Sequence, residues 1–112
     1  MNDCLFCKIV RGEIPADKVG ESDDALAFRD IAPKAPVHVL VIPKKHFGSM
    51  NDLPDGRAVA AMVMLAKQVA NELGLDANGY RAVINTGKDG GQTVHHIHLH
   101  LLGGRRLQWP PG

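Results

Sequence analysis

The stretch His96-Ile97-His98-Leu99-His100-Leu101 alternates imidazole and aliphatic side chains without a break. A period of two fits an extended strand, whose side chains point in turn to opposite faces, and does not fit a helix. Ile97, Leu99 and Leu101 therefore share one apolar face, which must lie on a core. His96, His98 and His100 share the other. The strand is read from Val94 to Leu102, with His95 on the apolar side at its start as a packing residue.

The rest of the chain supplies what such a strand needs. Val37 to Ile42, between prolines in PVHVLVIP, is rich in β-branched residues and reads as a buried central strand. Val19 to Glu21 and Ala25 to Arg29 flank the turn Ser22-Asp23-Asp24, a hairpin signal. Tyr80 to Asn85 reads as a further strand. One long helix is expected, with Asp52 and Pro54 at its start and Gly74 as its stop. Val59, Met62, Ala66, Val69 and Leu73 recur at helical spacing, and Met62 and Met64 are read as core filler. Cys4 to Ile14 is expected to form a short helical turn, ended at Gly12 or Pro15. The fold class is therefore α+β: an antiparallel sheet of about five strands, a long helix on one face and a short N-terminal helix.

At 112 residues one domain is expected over residues 1–112. A domain this short buries a limited share of its surface, so a metal or a partner subunit would help it. Net charge is +1, with both signs spread along the chain, so no nucleic-acid or membrane affinity is expected from electrostatics. No stretch is long and apolar enough to span a bilayer. MNDCLFCKIV lacks the basic start and apolar run of a signal peptide, and a cytoplasmic location is expected.

Three motifs carry chemistry. A strand face of histidines is open to three readings: a merely polar surface, a metal site, or covalent catalysis by one imidazole tuned by its neighbours. Histidine is an unusual choice for a solvated strand, which favours the last two. TGKDGGQT, just upstream, is a glycine-rich loop whose backbone N–H groups suit phosphate oxygens, although it is not a P-loop pattern. Cys4 and Cys7 form a C-x-x-C, which leaves a metal clip or a redox pair open.

His96-Ile97-His98-Leu99-His100-Leu101-Leu102 resembles the motif of the histidine triad (HIT) superfamily. FCKIVRGEIP, FRDIAPKAPVHVLVIPKKH, GYRAVINTGKDGGQTVHHIHLHLLGGR and WPPG are similar to segments of its Hint branch, the purine nucleoside phosphoramidases. The resemblance implies a nucleotide hydrolase that cleaves nucleoside 5′-phosphoramidates through a nucleotidyl-histidine. It implies His98 as nucleophile, His100 on the phosphate, and His38 in the same site. Asn85, Gly91, Gln92 and Thr93 match positions around phosphate and ribose, with Thr93 where serine is common. Asp30 and Ile31 match ribose and base contacts, and Phe28 the base pocket. An aromatic residue often stands where this chain has His95. The resemblance also implies a structural zinc ion on Cys4, Cys7, His46 and His96, and a homodimer that extends one sheet, with the Trp109 tail near the neighbouring site. Two other functions compete: a zinc enzyme using the triad itself as its metal site, and a non-catalytic nucleotide-binding or scaffold protein.

Overall fold

The computed structural model describes residues 3–112. In chain order it contains α1 (Leu5–Val10), β1 (Lys18–Glu21), β2 (Ala25–Arg29), β3 (Val37–Pro43), a 3₁₀ turn (Met50–Asp52), α2 (Arg57–Glu72), β4 (Arg81–Ile84), α3 (Gly87–Gly90) and β5 (Leu99–Gly103). The five strands form one sheet in the order β1-β2-β3-β5-β4. Every neighbouring pair is antiparallel. The expected α+β architecture is the one observed.

Alternation along β2, β3 and β5 sends side chains into two separate cores. Ala25, Ala27, Val39, Val41, Ile97, Leu99 and Leu101 pack with Met62, Leu65, Ala66 and Val69 of α2. Leu26, Phe28, Leu40 and Ile42 pack on the opposite face with Phe6 and Ile9 of α1. His38 lies on this second face of β3, where it pairs in register with Leu102 of β5, two residues from the Leu40–His100 pair. The long helix thus holds the sheet from one side. The short helix covers part of the other side and leaves the histidine columns beside it.

Several boundaries differ from expectation, each for a physical reason. Asp52 and Pro54 do not start α2. Ser49 and Asp52 instead close a capping box on the 3₁₀ turn. Leu53 is held extended (φ −72°, ψ 129°), as a residue before proline prefers, and α2 begins only at Arg57. Gly74 does end that helix, at φ +74°. Met62 is fully buried, but Met64 is 59% exposed. Residues two apart on a helix do not share a face, so only one of them fills the core.

The histidine strand is paired only over Leu99–Gly103. Its β3 neighbour runs out at Pro43, which has no N–H to donate, and β4 ends at Ile84. The segment before Leu99 keeps the alternation without the ladder: Ile97 is buried under α2 while its N–H donates to Phe47 O at 2.7 Å. His95 lies outside this packing and is exposed, which overturns its reading as a packing residue. The glycine-rich loop holds one helical turn, α3, closed by Gly91 at φ +82°.

Candidate functional site

The site lies on the α1 side of the sheet, where β3 and β5 run side by side. It has a histidine group, an apolar cleft and a cysteine–histidine cluster.

Each histidine's protonated nitrogen follows from its neighbours. Lys34 N–H donates to His38 Nδ1 at 3.0 Å. A neutral His38 then carries its proton on Nε2, which lies 2.9 Å from His100 Nδ1. His38 therefore donates to His100, and His100 keeps its own N–H on Nε2. His98 Nδ1 lies 2.8 Å from His96 O, so it donates there and leaves Nε2 with a free lone pair. His96 Nε2 lies 2.8 Å from Pro43 O, so its lone pair is on Nδ1, facing the cysteines. In each ring a backbone group fixes the tautomer directly, or does so through His38.

The His38 and His100 rings are held neutral. Burial, reinforced by the neighbouring His98 and His38, pushes His100 down to about 4. Burial also lowers His38, against the pull of the Asp30 carboxylate. Asp30 Oδ2 sits 3.4 Å from His38 Nε2, and Oδ1 accepts the Ala32 N–H at 2.8 Å.

A cleft of about 540 Å³ opens beside these rings, a volume within the range of small-molecule sites. Phe6, Phe28 and Leu40 form its apolar wall, and Asp30, Thr93, His98 and His100 bring polar groups to it. Phe28 is buried, edge-on to Phe6 at 5.6 Å between ring centres. Ile31 is fully exposed at the rim. A larger depression over α2, about 1100 Å³, contains no histidine or cysteine.

Not every expected residue reaches the cleft. Asn85, Gly91 and Gln92 do not line it. The Gln92 amide is used within the protein: Oε1 accepts the Gly87 N–H at 3.0 Å, and Nε2 donates to Gly48 O at 2.6 Å and to Val94 O at 3.0 Å. It fastens the loop to the chain ahead of β5. In turn, Phe6, Ile9 and Leu40 line the cleft without having been singled out from the sequence. Leu40 could have been, since it has the parity of His38 on one strand.

Cys4, Cys7, His46 and His96 bring their four ligand atoms within 4.8 Å of one another. Cys4 Sγ is 3.4 Å from His96 Nδ1, and Cys7 Sγ is 3.3 Å from His46 Nδ1 and 3.5 Å from His96 Nδ1. His46 Nδ1 and His96 Nδ1 are 3.1 Å apart. Zinc–sulfur and zinc–nitrogen bonds of ordinary length give tetrahedral edges of about 3.3–3.8 Å. The three sulfur–nitrogen separations fall in that range and the nitrogen–nitrogen one, at 3.1 Å, lies just below it; two thiolates with two imidazoles form a recognised structural zinc set. Burial lowers His96 to about 4, which keeps its ligating nitrogen unprotonated.

The tail does not fold into the chain's own core. Trp109 is 79% exposed, its ring 5.9 Å from the Arg81 guanidinium, which also donates to Gln108 O at 2.9 Å. Among the described residues no helix is long and apolar enough to cross a membrane.

A histidine-bearing antiparallel sheet with a cleft beside the alternating rings is the arrangement of histidine triad proteins. A HIT domain family model matches residues 11–107, and the chain belongs to that family. An uncharacterised HIT-like protein of Synechococcus elongatus is 54% identical over 112 residues, covering 98% of this chain and 97% of the relative. The crystal structure of a HIT family hydrolase from Legionella pneumophila matches with a TM-score of 0.94 at 54% identity, over 98% of this chain and 100% of the other. A histidine triad nucleotide-binding protein from Candida albicans matches at 0.84 and 36% identity, over 96% and 83%. A zinc-bound histidine triad family protein from Mycobacterium smegmatis matches at 0.82 and 39% identity, over 92% and 76%.

Proposed function

We propose that the chain is a hydrolase of purine nucleoside 5′-phosphoramidates, such as adenosine 5′-phosphoramidate or an AMP–lysine conjugate. The observation that carries this reading is the His98 tautomer: Nδ1 is tied to His96 O at 2.8 Å, and the ring lines the cleft. That arrangement is what an imidazole nucleophile requires.

The base lies against Phe6, Phe28 and Leu40, with Ile31 at the rim, and Asp30 accepts the ribose hydroxyls. His98 Nε2 attacks the α-phosphorus. A P–N(His) bond forms and the P–N bond to the amine breaks, with a proton passing to the departing nitrogen. His100 Nε2–H donates to a phosphate oxygen. The Thr93 hydroxyl donates to an oxygen or to the leaving group. The α3 loop leads into Thr93 and Val94, which line the cleft, and the Gln92 amide holds its shape. Water then attacks the nucleotidyl-histidine, releasing nucleoside monophosphate and the free imidazole. The chemistry needs no metal. Zinc on Cys4, Cys7, His46 and His96 would fasten α1 to the sheet.

We infer a homodimer in which the tail that carries the exposed Trp109 shapes the leaving-group side of the neighbouring site. Light scattering should give a dimer at micromolar concentration, and a stable monomer would overturn this part. The activity is tested by AMP release from adenosine 5′-phosphoramidate, with wild type and His98→Ala side by side, with and without chelator. Turnover by wild type alone, surviving chelation, is expected. Folded wild type that binds AMP without turnover would favour the non-catalytic binding reading, and turnover lost on chelation would favour a zinc enzyme.

A further inference from the structure

Helix α1 is six residues long, too short to hold itself without tertiary contacts. Its side chains serve two sites at once. Its N-cap Cys4 and its Cys7 belong to the cysteine–histidine cluster, while Leu5, Phe6 and Ile9 line the cleft. Phe6 joins the two. Its ring meets His98 edge-on at 5.2 Å and 87°, His96 at 5.8 Å and 72°, and Phe28 at 5.6 Å and 72°. One buried side chain therefore touches the candidate nucleophile, a candidate metal ligand and the base wall.

We propose that a metal ion at Cys4, Cys7, His46 and His96 and a nucleoside monophosphate in the cleft bind with positive coupling, carried by α1 through Phe6. Phe6 is then a positioning residue for His98. The inference rests on the nucleotide reading above and adds a link between two sites that reading treats as separate. Either ligand orders the same short helix, so the second to bind finds that ordering already done. Coupling is reciprocal, so each ligand raises the affinity of the other by one common factor, of order 5- to 150-fold for typical linked sites.

The test is calorimetric titration of AMP into zinc-loaded and zinc-stripped protein, paired with chelator competition for zinc at zero and saturating AMP. Wild type should show AMP binding about 10-fold tighter when loaded, and the same factor for zinc. In Phe6→Leu the individual affinities change, but the ratio should fall to near one, which general loosening of the cleft would not produce. Equal AMP affinity in both wild-type states overturns the coupling and leaves the nucleotide reading standing. A ratio preserved in Phe6→Leu overturns the route through Phe6. Absence of AMP binding in both states overturns the coupling and the nucleotide reading together. If the stripped chain unfolds, cobalt(II) is loaded instead and its d–d absorption followed. AMP should shift the spectrum in wild type and not in Phe6→Leu, and an unmoved wild-type spectrum overturns the proposal.

Discussion

His38 Nε2 lies 2.9 Å from His100 Nδ1, with the Lys34 N–H holding the other His38 nitrogen at 3.0 Å. This short relay fixes a proton on the outer nitrogen of His100 while both rings stay neutral. Replacing His38 by alanine frees both tautomers of His100, and the one protonated on Nδ1 presents a lone pair to an anionic phosphate. On the phosphoramidase reading kcat should fall about 10- to 100-fold, as misplacement of one catalytic group typically costs, with a smaller change in KM. Steady-state kinetics with adenosine 5′-phosphoramidate checks this, and ¹⁵N NMR of the His100 ring reads the tautomer directly.

Loss of the nucleophile should be far more severe. His98→Ala is expected to reduce turnover by at least about 10³-fold, as removal of a covalent catalyst does, while AMP affinity changes little. Rapid quenching of wild type in acid-free conditions should show a protein mass increased by one nucleotidyl group, absent from the variant. Full activity in a correctly folded His98→Ala would remove the covalent step.

The same buried rings set a pH limit on stability. His100 titrates near 4 in the folded chain and His38 is lowered too, whereas an unfolded histidine titrates near about 6.5. Between those values the unfolded chain binds more protons, so stability rises with pH across the window. The contribution is complete above about 6.5 and is lost as pH falls through about 4. Urea midpoints of metal-stripped protein should drop between pH 7 and pH 4.5. The double variant His38→Gln, His100→Gln should show a shallower dependence.

How much of this was legible in the sequence follows from what carries each feature. Strand β3 could be read because its β-branched run and its flanking prolines are side-chain signals. The shared face of His96, His98 and His100 could be read because alternation survives whether or not the ladder is formed. The start of β5 could not, since it depends on where Pro43 and Ile84 end the neighbouring strands. The histidine tautomers were equally hidden. They are fixed by His96 O, Pro43 O and the Lys34 N–H, backbone groups that the order of side chains does not reveal. Phe6 was hidden because a phenylalanine beside two cysteines reads as ordinary core until α1 is placed against the sheet.

Close approach of β1 to α2 depends on Gly20. A Cβ there would lie 2.8 Å from Val69 Cγ2 and 3.3 Å from Leu65 Cδ1. Val69 is β-branched, buried and on a helix, so its χ1 cannot swing aside. Gly20→Ala should therefore destabilise by about 1–3 kcal/mol, the usual cost of overpacking. Urea denaturation at neutral pH checks it, and unchanged stability would mean that β1 shifts freely at the sheet edge.

Metal removal should separate stability from chemistry. An ion that binds only the folded chain stabilises it by about 2.7 kcal/mol at a hundredfold excess over its Kd. For a domain of this size that corresponds to roughly 10–20 °C in Tm. Chelation of zinc-loaded protein should lower Tm by about that amount, and the double variant Cys4→Ser, Cys7→Ser should start low and show little response to chelator. Turnover measured well below either Tm should persist in both, reduced only as far as α1 loosens the cleft wall. The ligand geometry favours this outcome, because only His96 is shared between cluster and triad, and its ring reaches the cysteines rather than the cleft. Scanning calorimetry beside the activity assay checks both halves. Loss of turnover with an unchanged Tm would place the metal in the reaction and not in the fold.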